Sequence, residues 1–273
     1  MSRRYKYQAS RRIPGDLHRT ISSVDPMSVT SDRIFLTAEW RNLAMLNYEV
    51  DAGLLLPFVP AGTELDRWNG KVFVSLVGFR FLKTKVFGLT IPFHSNFEEV
   101  NLRLYVRRRE GDEFRRGVVF IREIVPRRAI ALVARTFYKE NYIALPMAHE
   151  IRATDGRGLA VAYRWRTGAG WSGIRLEVQG KSELANDGSH EQFITEHYWG
   201  YAAQPEGGCV EYRVTHPAWR VWSARCAEFE GDVEELYGKE FAAVLRGKQA
   251  SALLAEGSPV TVMRGRRLGA GFR

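Results

Sequence analysis

Apolar and polar residues alternate along much of the chain from residue 34 onward, and this pattern predicts β-strands. The alternation is clearest over residues 99–107, where one face carries Val100, Leu102, Leu104 and Val106. Similar runs bounded by turn-forming residues predict strands over residues 72–81, 117–125, 147–152, 159–166, 174–180 and 251–263. Two further runs, 210–216 and 222–229, predict a hairpin that turns at Pro217. An Asn-Gly pair, Asn69-Gly70, predicts a tight turn before the first of these strands.

Helical spacing of apolar residues predicts a few short helices, over residues 39–48, 52–56, 127–138 and 189–198. In the first of them, Trp40, Leu43 and Leu46 fall on one face, and Pro57 ends the second. The sum predicts an α+β protein, mostly antiparallel β, in which a many-stranded sheet curls into a barrel with a few covering helices.

The net charge of +9 is concentrated at the two ends of the sequence. Residues 1–26 and residues 264–273 each carry a balance of +4, so the body between them is almost neutral. This distribution predicts a disordered basic leader over residues 1–32, a single domain over 33–263 and a basic flexible tail over 264–273. A near-neutral body is a poor match to a nucleic-acid-binding face, although the basic ends leave salt-dependent association with acidic surfaces as a minor alternative.

No apolar run approaches the roughly 20 residues that a membrane span requires, and the first residues lack the apolar core of a secretory signal. We therefore expect a cytoplasmic protein. The two cysteines, Cys209 and Cys226, lack metal-type spacing. The predicted hairpin would allow a disulfide between them, but two reduced thiols fit a cytoplasmic protein better.

Two motifs receive a structural interpretation. Residues 168–173 satisfy the pattern G-x-G-x-x-G, but strand-like sequence on both sides predicts a hairpin turn instead of a dinucleotide site. His190 and His197 lie seven residues apart, which is too far for joint chelation on a helix, and a solvent-facing helix is the simpler interpretation. No metal or other cofactor is expected.

The polar face of residues 99–107 is the best candidate site. It carries a carboxylate, an amide and a guanidinium at alternate positions, Glu99, Asn101 and Arg103. Such a face can either meet solvent or line the inside of a barrel, where it would bind a small polar molecule. His94 and His216, each beside a proline, are candidates for acid–base roles or for structural roles.

Several ordered runs extend this picture: AEWRNL at 38–43, NYEVD at 47–51, VSLV at 74–77, FEEVNLRLYV at 97–106, FITE at 193–196 and the segment 216–219. Together they resemble the YqjF-like uncharacterised family, which in turn resembles the acetoacetate decarboxylase superfamily. In those decarboxylases an active-site run Gly-Arg-Glu-x-x-Gly-x-Pro-Lys ends in the Schiff-base lysine. Arg135 matches its arginine, but Tyr142 stands at the lysine position, and Lys139 lies three residues short of it.

The resemblance implies an antiparallel barrel-like core around a pocket that the Glu99 strand lines. It favours catalytic roles for Glu99, as acid or base, and for Tyr142, as a hydrogen-bond donor. Asn101, Arg103, Arg135 and His94 are the expected substrate contacts. The expected partner is a small carbonyl- or carboxylate-bearing metabolite.

If the protein is an enzyme, lyase- or hydrolase-like chemistry without a Schiff base is expected. The alternative is a non-catalytic ligand sensor or scaffold, which the missing lysine favours. Assembly into a homo-oligomer is compatible with a strand-rich chain, although no residue pattern sets its order.

Overall fold

Antiparallel strands form most of the chain that the computed structural model describes, namely residues 34–132 and 140–269. The strands assigned in these residues are β1 Ile34–Val50, β2 Glu64–Leu65, β3 Val72–Val86, β4 Leu89–Thr90, β5 Phe97–Glu110, β6 Glu113–Val125, β7 Tyr142–Ala144, β8 Met147–Thr154, β9 Gly158–Thr167, β10 Gly170–Val178, β11 Glu183–Leu184, β12 Trp199–Ala203, β13 Cys209–Thr215, β14 Arg220–Ser223, β15 Cys226–Glu230, β16 Ser251–Met263 and β17 Arg266–Leu268.

The helices are short. They are α1 Ala52–Leu55, followed by a 3₁₀ turn Leu56–Phe58, α2 His190–Thr195 and α3 Glu234–Arg246. Residues 128–132 are also helical, at the start of the predicted helix 127–138, and the rest of that prediction lies outside the described residues. The Ser189 hydroxyl caps α2 by accepting a hydrogen bond from the Gln192 N–H. Most of the backbone is therefore held by strand pairing.

Seven strands pair in a closed ring, in the order β16, β1, β3, β5, β6, β12, β13 and back to β16. The longest ladders join β1 to β16 and to β3. The closing contacts are short, because β12 runs parallel to β6 for two residue pairs and β13 meets β16 over two more. A separate four-stranded sheet contains β15, β10, β9 and β8.

The ring carries an apolar core on each face of its strands. One core joins alternate residues of the ring, such as Leu46 and Leu102, to Trp165 and Leu176 of the four-stranded sheet and to Phe241 of α3. The opposite residues of the same strands form a second core, which is rich in aromatic side chains. Because both faces are covered, the central ring strands are buried on both sides.

The predicted helix over residues 39–48 is wrong, because these residues belong to β1. Residues 43–48 are all buried and Asn47 is the one polar amide among them, so the regular alternation of a half-exposed strand is missing. A register shift against β3 between Arg41 and Ala44, with Asn42 at φ 55°, also breaks the alternation. A continuous apolar run in a doubly covered strand thus imitated helical spacing.

The predicted hairpin of 210–216 with 222–229 is also wrong. Strand β13 pairs with β12, β16 and β17, while β14 pairs with β11 and β16, and β15 joins the other sheet. Cys209 is buried and Cys226 is exposed, and both are free thiols. The residues after Pro217 therefore leave the first strand instead of returning along it.

Part of the predicted flexible tail is ordered. Arg266–Leu268 form β17 against β13, Leu268 is buried in a core, and Arg266 Nε donates to Glu211 at 2.8 Å. Charge alone suggested solvation here, but the buried carboxylate of Glu211 attracts the arginine. The predicted leader 1–32 lies outside the described residues.

Other local predictions are confirmed. Asn69 and Gly70 adopt positive φ angles in a turn that a Trp68–Lys71 bridge closes. The Gly-rich run at 168–173 forms the hairpin between β9 and β10. Within residues 34–132 and 140–269, no helix has the length and apolar character needed to cross a bilayer.

Candidate functional site

A cavity of about 170 Å³ lies against the aromatic core of the ring. Aromatic side chains, including Trp40, Phe79, Phe81 and Trp219, form much of its lining. Its polar lining residues include Glu99, Asn101, Arg103, Glu123, Glu140, Tyr142, His197 and Tyr212. An apolar cavity with a few convergent polar groups is the usual form of a small-molecule site.

Strand register explains why several polar residues meet. Asn101 on β5 lies opposite Glu123 on β6, and Glu123 lies opposite Tyr142 on β7. Side chains in one cross-strand row point to the same face of a sheet, so this row presents an amide, a carboxyl and a phenol together. Glu99 lies two residues from Asn101 on the same face of β5.

A β-bulge brings Glu123 into this row. Leu102 pairs with Arg122, but the next residue, Arg103, pairs with Phe120, so Ile121 is an extra residue in β6. The bulge changes which face the alternate residues of β6 occupy. Phe120 and Glu123, an odd number of positions apart, consequently both line the cavity.

Glu99 is held by two donors within the cavity lining. The Asn101 Nδ2 group donates to its Oε1 at 3.0 Å, and the Tyr142 hydroxyl donates to its Oε2 at 3.2 Å. Burial raises the pKa of Glu99 to about 7, although Asn101, Tyr142 and the positive charge of Arg103 oppose this rise. Glu99 can therefore change protonation state near neutral pH.

Glu123 and Glu140 are the two other carboxyl groups of the cavity. Burial, together with the charges of Glu140 and Glu99, raises the pKa of Glu123 well above its ordinary value, while the Tyr142 hydroxyl partly stabilises its carboxylate. Glu140 is half-buried as a residue, but protein atoms surround its carboxyl group, and this burial raises its pKa to about 8 despite a hydrogen bond from the Tyr212 hydroxyl. Burial thus shifts the pKa of each of these three carboxyl groups upward and stabilises its neutral form.

Tyr142 lies between two of these carboxyl groups. It contacts both Glu99 and Glu123, and burial followed by the charge of Glu123 raises the pKa of its phenol well above the ordinary value. Its hydroxyl remains a proton donor throughout the physiological pH range.

Arg103 is buried, with 9% of its surface exposed, and it is the one cation among the described lining residues. One terminal nitrogen donates to the Ile194 carbonyl at 3.2 Å. Among the residues that the structure describes, no acceptor contacts its Nε. The guanidinium therefore retains a donor for a bound molecule.

His197 also lines the cavity, beyond the end of α2. Its Nε2 lies 3.1 Å from Oδ2 of Asp66, which also accepts from Arg116 Nε at 2.6 Å. Burial lowers the pKa of His197 to about 4, so the ring is neutral at pH 7, with its Nε2–H directed at Asp66. His197 is thus buried, whereas the sequence suggested a solvent-facing position.

Two other histidines line the cavity near its aromatic residues. His216 stacks on Trp219, with ring centroids 4.1 Å apart, and burial lowers its pKa to about 4. His94 is half-buried, and its Nδ1 bonds the Pro92 carbonyl at 2.7 Å.

The structure brings most of the sequence-predicted site residues together. Glu99, Asn101, Arg103, Tyr142 and His94 all line this cavity. Arg135 lies outside the described residues, as does Lys139. Sequence reasoning missed Glu123, Glu140, His197 and Tyr212 as site residues. The described residues include no group of three or more His, Cys, Asp or Glu side chains arranged to hold a metal ion.

Comparison with known proteins agrees with this architecture. The family model DUF2071, described as an uncharacterized conserved protein, matches residues 37–259. The uncharacterized protein YqjF of Bacillus subtilis (strain 168) is 30% identical over 112 residues. That alignment spans 41% of this chain and 45% of YqjF, so less than half of each protein is compared.

Solved structures with this fold include decarboxylase-like proteins. Acetoacetate decarboxylase from Legionella pneumophila superposes with a TM-score of 0.60 at 12% identity, covering 96% of this chain and 98% of that one. The enduracididine biosynthesis enzyme MppR, in complex with pyruvate, superposes with a TM-score of 0.61 at 15% identity. The superposition covers 86% of this chain and 91% of MppR. At these identities the likeness establishes the fold.

Proposed function

The chain belongs to the DUF2071 family of uncharacterized conserved proteins, and from that premise we propose that it binds and transforms a small carbonyl-bearing metabolite without a Schiff base. The observation that carries this proposal is the pair of buried carboxyl groups, Glu99 and Glu123, on either side of the Tyr142 hydroxyl. Two carboxyl groups with separated pKa values form an acid and a base at the same pH.

Glu99, with a pKa of about 7, is the proposed base. Its carboxylate removes a proton from the carbon next to the carbonyl group, and the electron pair of that C–H bond forms a C=C bond. The displaced π electrons move to the carbonyl oxygen, which takes the proton of neutral Glu123. The product is an enol, and both carboxyl groups return to their starting states when the steps reverse.

Three groups support this chemistry without taking part in proton transfer. Tyr142 and Asn101 orient the base through their hydrogen bonds to Glu99. Arg103 offers its Nε–H to an oxygen of the ligand. Donors that are already in place stabilise a developing oxyanion without reorganisation.

The residue at the aligned lysine position favours a route without a Schiff base. Tyr142, the residue that resemblance aligns with the catalytic lysine, is a hydrogen-bond donor and cannot form an imine. A structure of MppR with pyruvate adds support, because it shows a carbonyl compound bound to a protein of this fold.

Binding can be tested by a thermal-shift screen of keto acids, hydroxy acids, aldehydes and sugar acids. A ligand at about 100 times its Kd should add roughly 2.7 kcal/mol to the free energy of unfolding and raise the melting temperature by several degrees. Arg103→Ala should weaken each hit. The exposed variant Glu49→Gln, which loses only an ion pair with Lys71, is the matched control.

Turnover can be tested by incubating each hit in D₂O and following deuterium exchange beside the carbonyl group by proton NMR. Glu99→Gln should reduce exchange by roughly 100-fold or more. Unchanged binding and exchange in Glu99→Gln would contradict the assignment. Saturable binding with no exchange in the wild-type protein would instead indicate a ligand sensor, the second candidate, which the tyrosine at the lysine position favours.

A further inference from the structure

Acidic side chains outnumber arginine and lysine side chains among the described residues that line the cavity. The described lining residues include three carboxyl groups, Glu99, Glu123 and Glu140, but the single guanidinium of Arg103 and no lysine. If the proposed acid and base keep their roles, Glu140 is the remaining carboxyl group. Its only hydrogen-bond partner among the described contacts is the neutral Tyr212 hydroxyl.

Two buried acceptors of the same lining have no hydrogen-bond donor within residues 34–132 and 140–269. Asn101, 2% exposed, donates its amide N–H to Glu99, and its Oδ1 has no partner among the described residues. His197 has a side-chain exposure of 1% and directs its Nε2–H at Asp66, so its Nδ1 holds a lone pair that accepts no hydrogen bond from a described residue. Buried acceptors are normally satisfied, so both atoms indicate a ligand that brings N–H or O–H donors.

The aromatic lining adds a third, independent feature. Trp40 packs edge-on against Phe79 at 5.3 Å and against Trp219 at 6.2 Å, and all three side chains line the cavity. Aromatic faces attract organic cations, most strongly where water is excluded.

Resting on the function proposed above, we propose that the carbonyl ligand also carries a positively charged nitrogen group with N–H donors, whose charge pairs with the carboxylate of Glu140. An alkylammonium group balances the negative charge of ionised Glu140. It also brings N–H donors of the kind that Asn101 Oδ1 and His197 Nδ1 lack. An anionic group at the same position could not pair with the carboxylate of Glu140 and would oppose its ionisation.

Three ketones built on the same cyclohexanone ring test this proposal. They are 4-aminocyclohexanone, a cation at neutral pH, 4-hydroxycyclohexanone, which is neutral, and 4-oxocyclohexanecarboxylate, an anion. Isothermal titration calorimetry of the full chain at pH 8 should give at least about a tenfold lower Kd for the amine than for the alcohol, and weaker binding for the acid.

The outcomes separate the two proposals. Tightest binding by the alcohol or the acid would overturn the cation proposal and leave the carbonyl function intact. Failure of all three ketones to bind would overturn both. Amine binding that is matched by cyclohexylamine, which lacks the carbonyl group, would support the cation site and contradict the carbonyl function.

The variant Glu140→Gln tests whether Glu140 is the counter-ion of the ammonium group. Glu140→Gln should raise the Kd of the amine by about tenfold or more and change that of the alcohol by less than about twofold. Glu49→Gln on the surface should change neither, and circular dichroism should show that both variants fold. An equal loss for amine and alcohol in Glu140→Gln would overturn the assignment to Glu140.

Proton release supplies a second readout. Glu140 has a pKa of about 8 beside Tyr212 and the carboxyl groups of Glu99 and Glu123, so the free protein holds its proton at pH 7. Amine binding at pH 7 should release close to one proton, measured from the buffer dependence of the binding enthalpy, and Glu140→Gln should abolish that release. Amine binding without proton release in the wild-type protein would contradict the pairing.

Discussion

Two hydrogen bonds oppose the effect of burial on the pKa of Glu99. Burial alone would raise its pKa further, but the Asn101 amide and the Tyr142 hydroxyl both stabilise the carboxylate. The side chain therefore titrates near pH 7, where a general base is most effective.

Tyr142→Phe should raise the pKa of Glu99 above about 7, because the variant loses one of the two donors to its carboxylate. The titration can be followed by ¹³C NMR of the glutamate carboxyl groups, with Glu99→Gln to assign the signal. The control is Tyr48→Phe, which removes a buried hydroxyl that donates to the Leu245 carbonyl in the other core. A pKa that stays the same or falls in Tyr142→Phe would contradict the proposed balance.

Some site residues were predictable from the sequence and others were not. Glu99, Asn101 and Arg103 follow strict alternation along β5, so their shared face could be read directly. Glu123 was not predicted as a site residue, because the bulge at Ile121 shifts the alternation of β6 and a bulge has no reliable signal in one sequence. His197 was not predicted as a buried site residue, because its partner Asp66 is 131 residues away in the chain.

At the level of elements, the close packing of β12 against β13 depends on a glycine. Gly200 on β12 pairs with Tyr212 on β13, and a Cβ at Gly200 would approach the Tyr212 ring to 2.1 Å. The missing side chain therefore leaves the space that the Tyr212 ring occupies beside Glu140.

Gly200→Ala should displace Tyr212 and lower the free energy of unfolding by about 1–3 kcal/mol, measured by urea denaturation, because the strand cannot absorb the added methyl group. Loss of the Tyr212 hydrogen bond should also raise the pKa of Glu140. Gly168→Ala is the control, since the nearest atom to its added Cβ is a Glu235 oxygen at 3.9 Å. Equal stability of the two variants would show that Tyr212 moves freely.

The elements that were predicted wrongly share one cause. Residues 43–48 of β1 are all buried, β14 pairs with the distant strands β11 and β16, and β13 pairs with β12, β16 and β17 but not with the strand that follows it. Local periodicity carries no information about such partners, whereas the Asn69-Gly70 turn and the β5 strand depend on neighbours within a few residues. The strand-rich class and the decarboxylase-like fold could still be predicted, because most strands keep their alternation and the family runs lie in order along the chain.

The whole molecule should lose stability as the pH rises from 6.5 to 8. Glu99 and Glu140 keep their protons in the native state up to about pH 7 and about pH 8, while the unfolded chain releases them near 4.5. His197 and His216, with native pKa values of about 4, have the opposite effect, which is half of its full size at the ordinary value of 6.5 and fades over about one pH unit above it. The carboxyl effect of Glu140 continues to about pH 8 and dominates the upper part of this range.

Urea denaturation at pH 6.5 and pH 8 should therefore show that the free energy of unfolding falls as the pH rises. The expected fall is about 1 kcal/mol per pH unit for each carboxyl group that stays protonated in the native state. Glu140→Gln should make the decline shallower, because glutamine cannot ionise, and Glu49→Gln should leave it unchanged. A free energy of unfolding that rises over this pH range in the wild-type protein would contradict the burial of these carboxyl groups.

The ladder between β1 and β16 joins two of the most distant parts of the described chain. Ile34 pairs with Met263 and Asn47 with Ser251, so one edge of β1 has no partner until nearly the whole domain has been synthesised. A nascent chain that ends before residue 251 exposes that long apolar edge, which invites pairing with other chains. High contact order of this kind also slows folding, so a ribosome-bound chaperone that shields β1 would be expected to raise the yield of native protein.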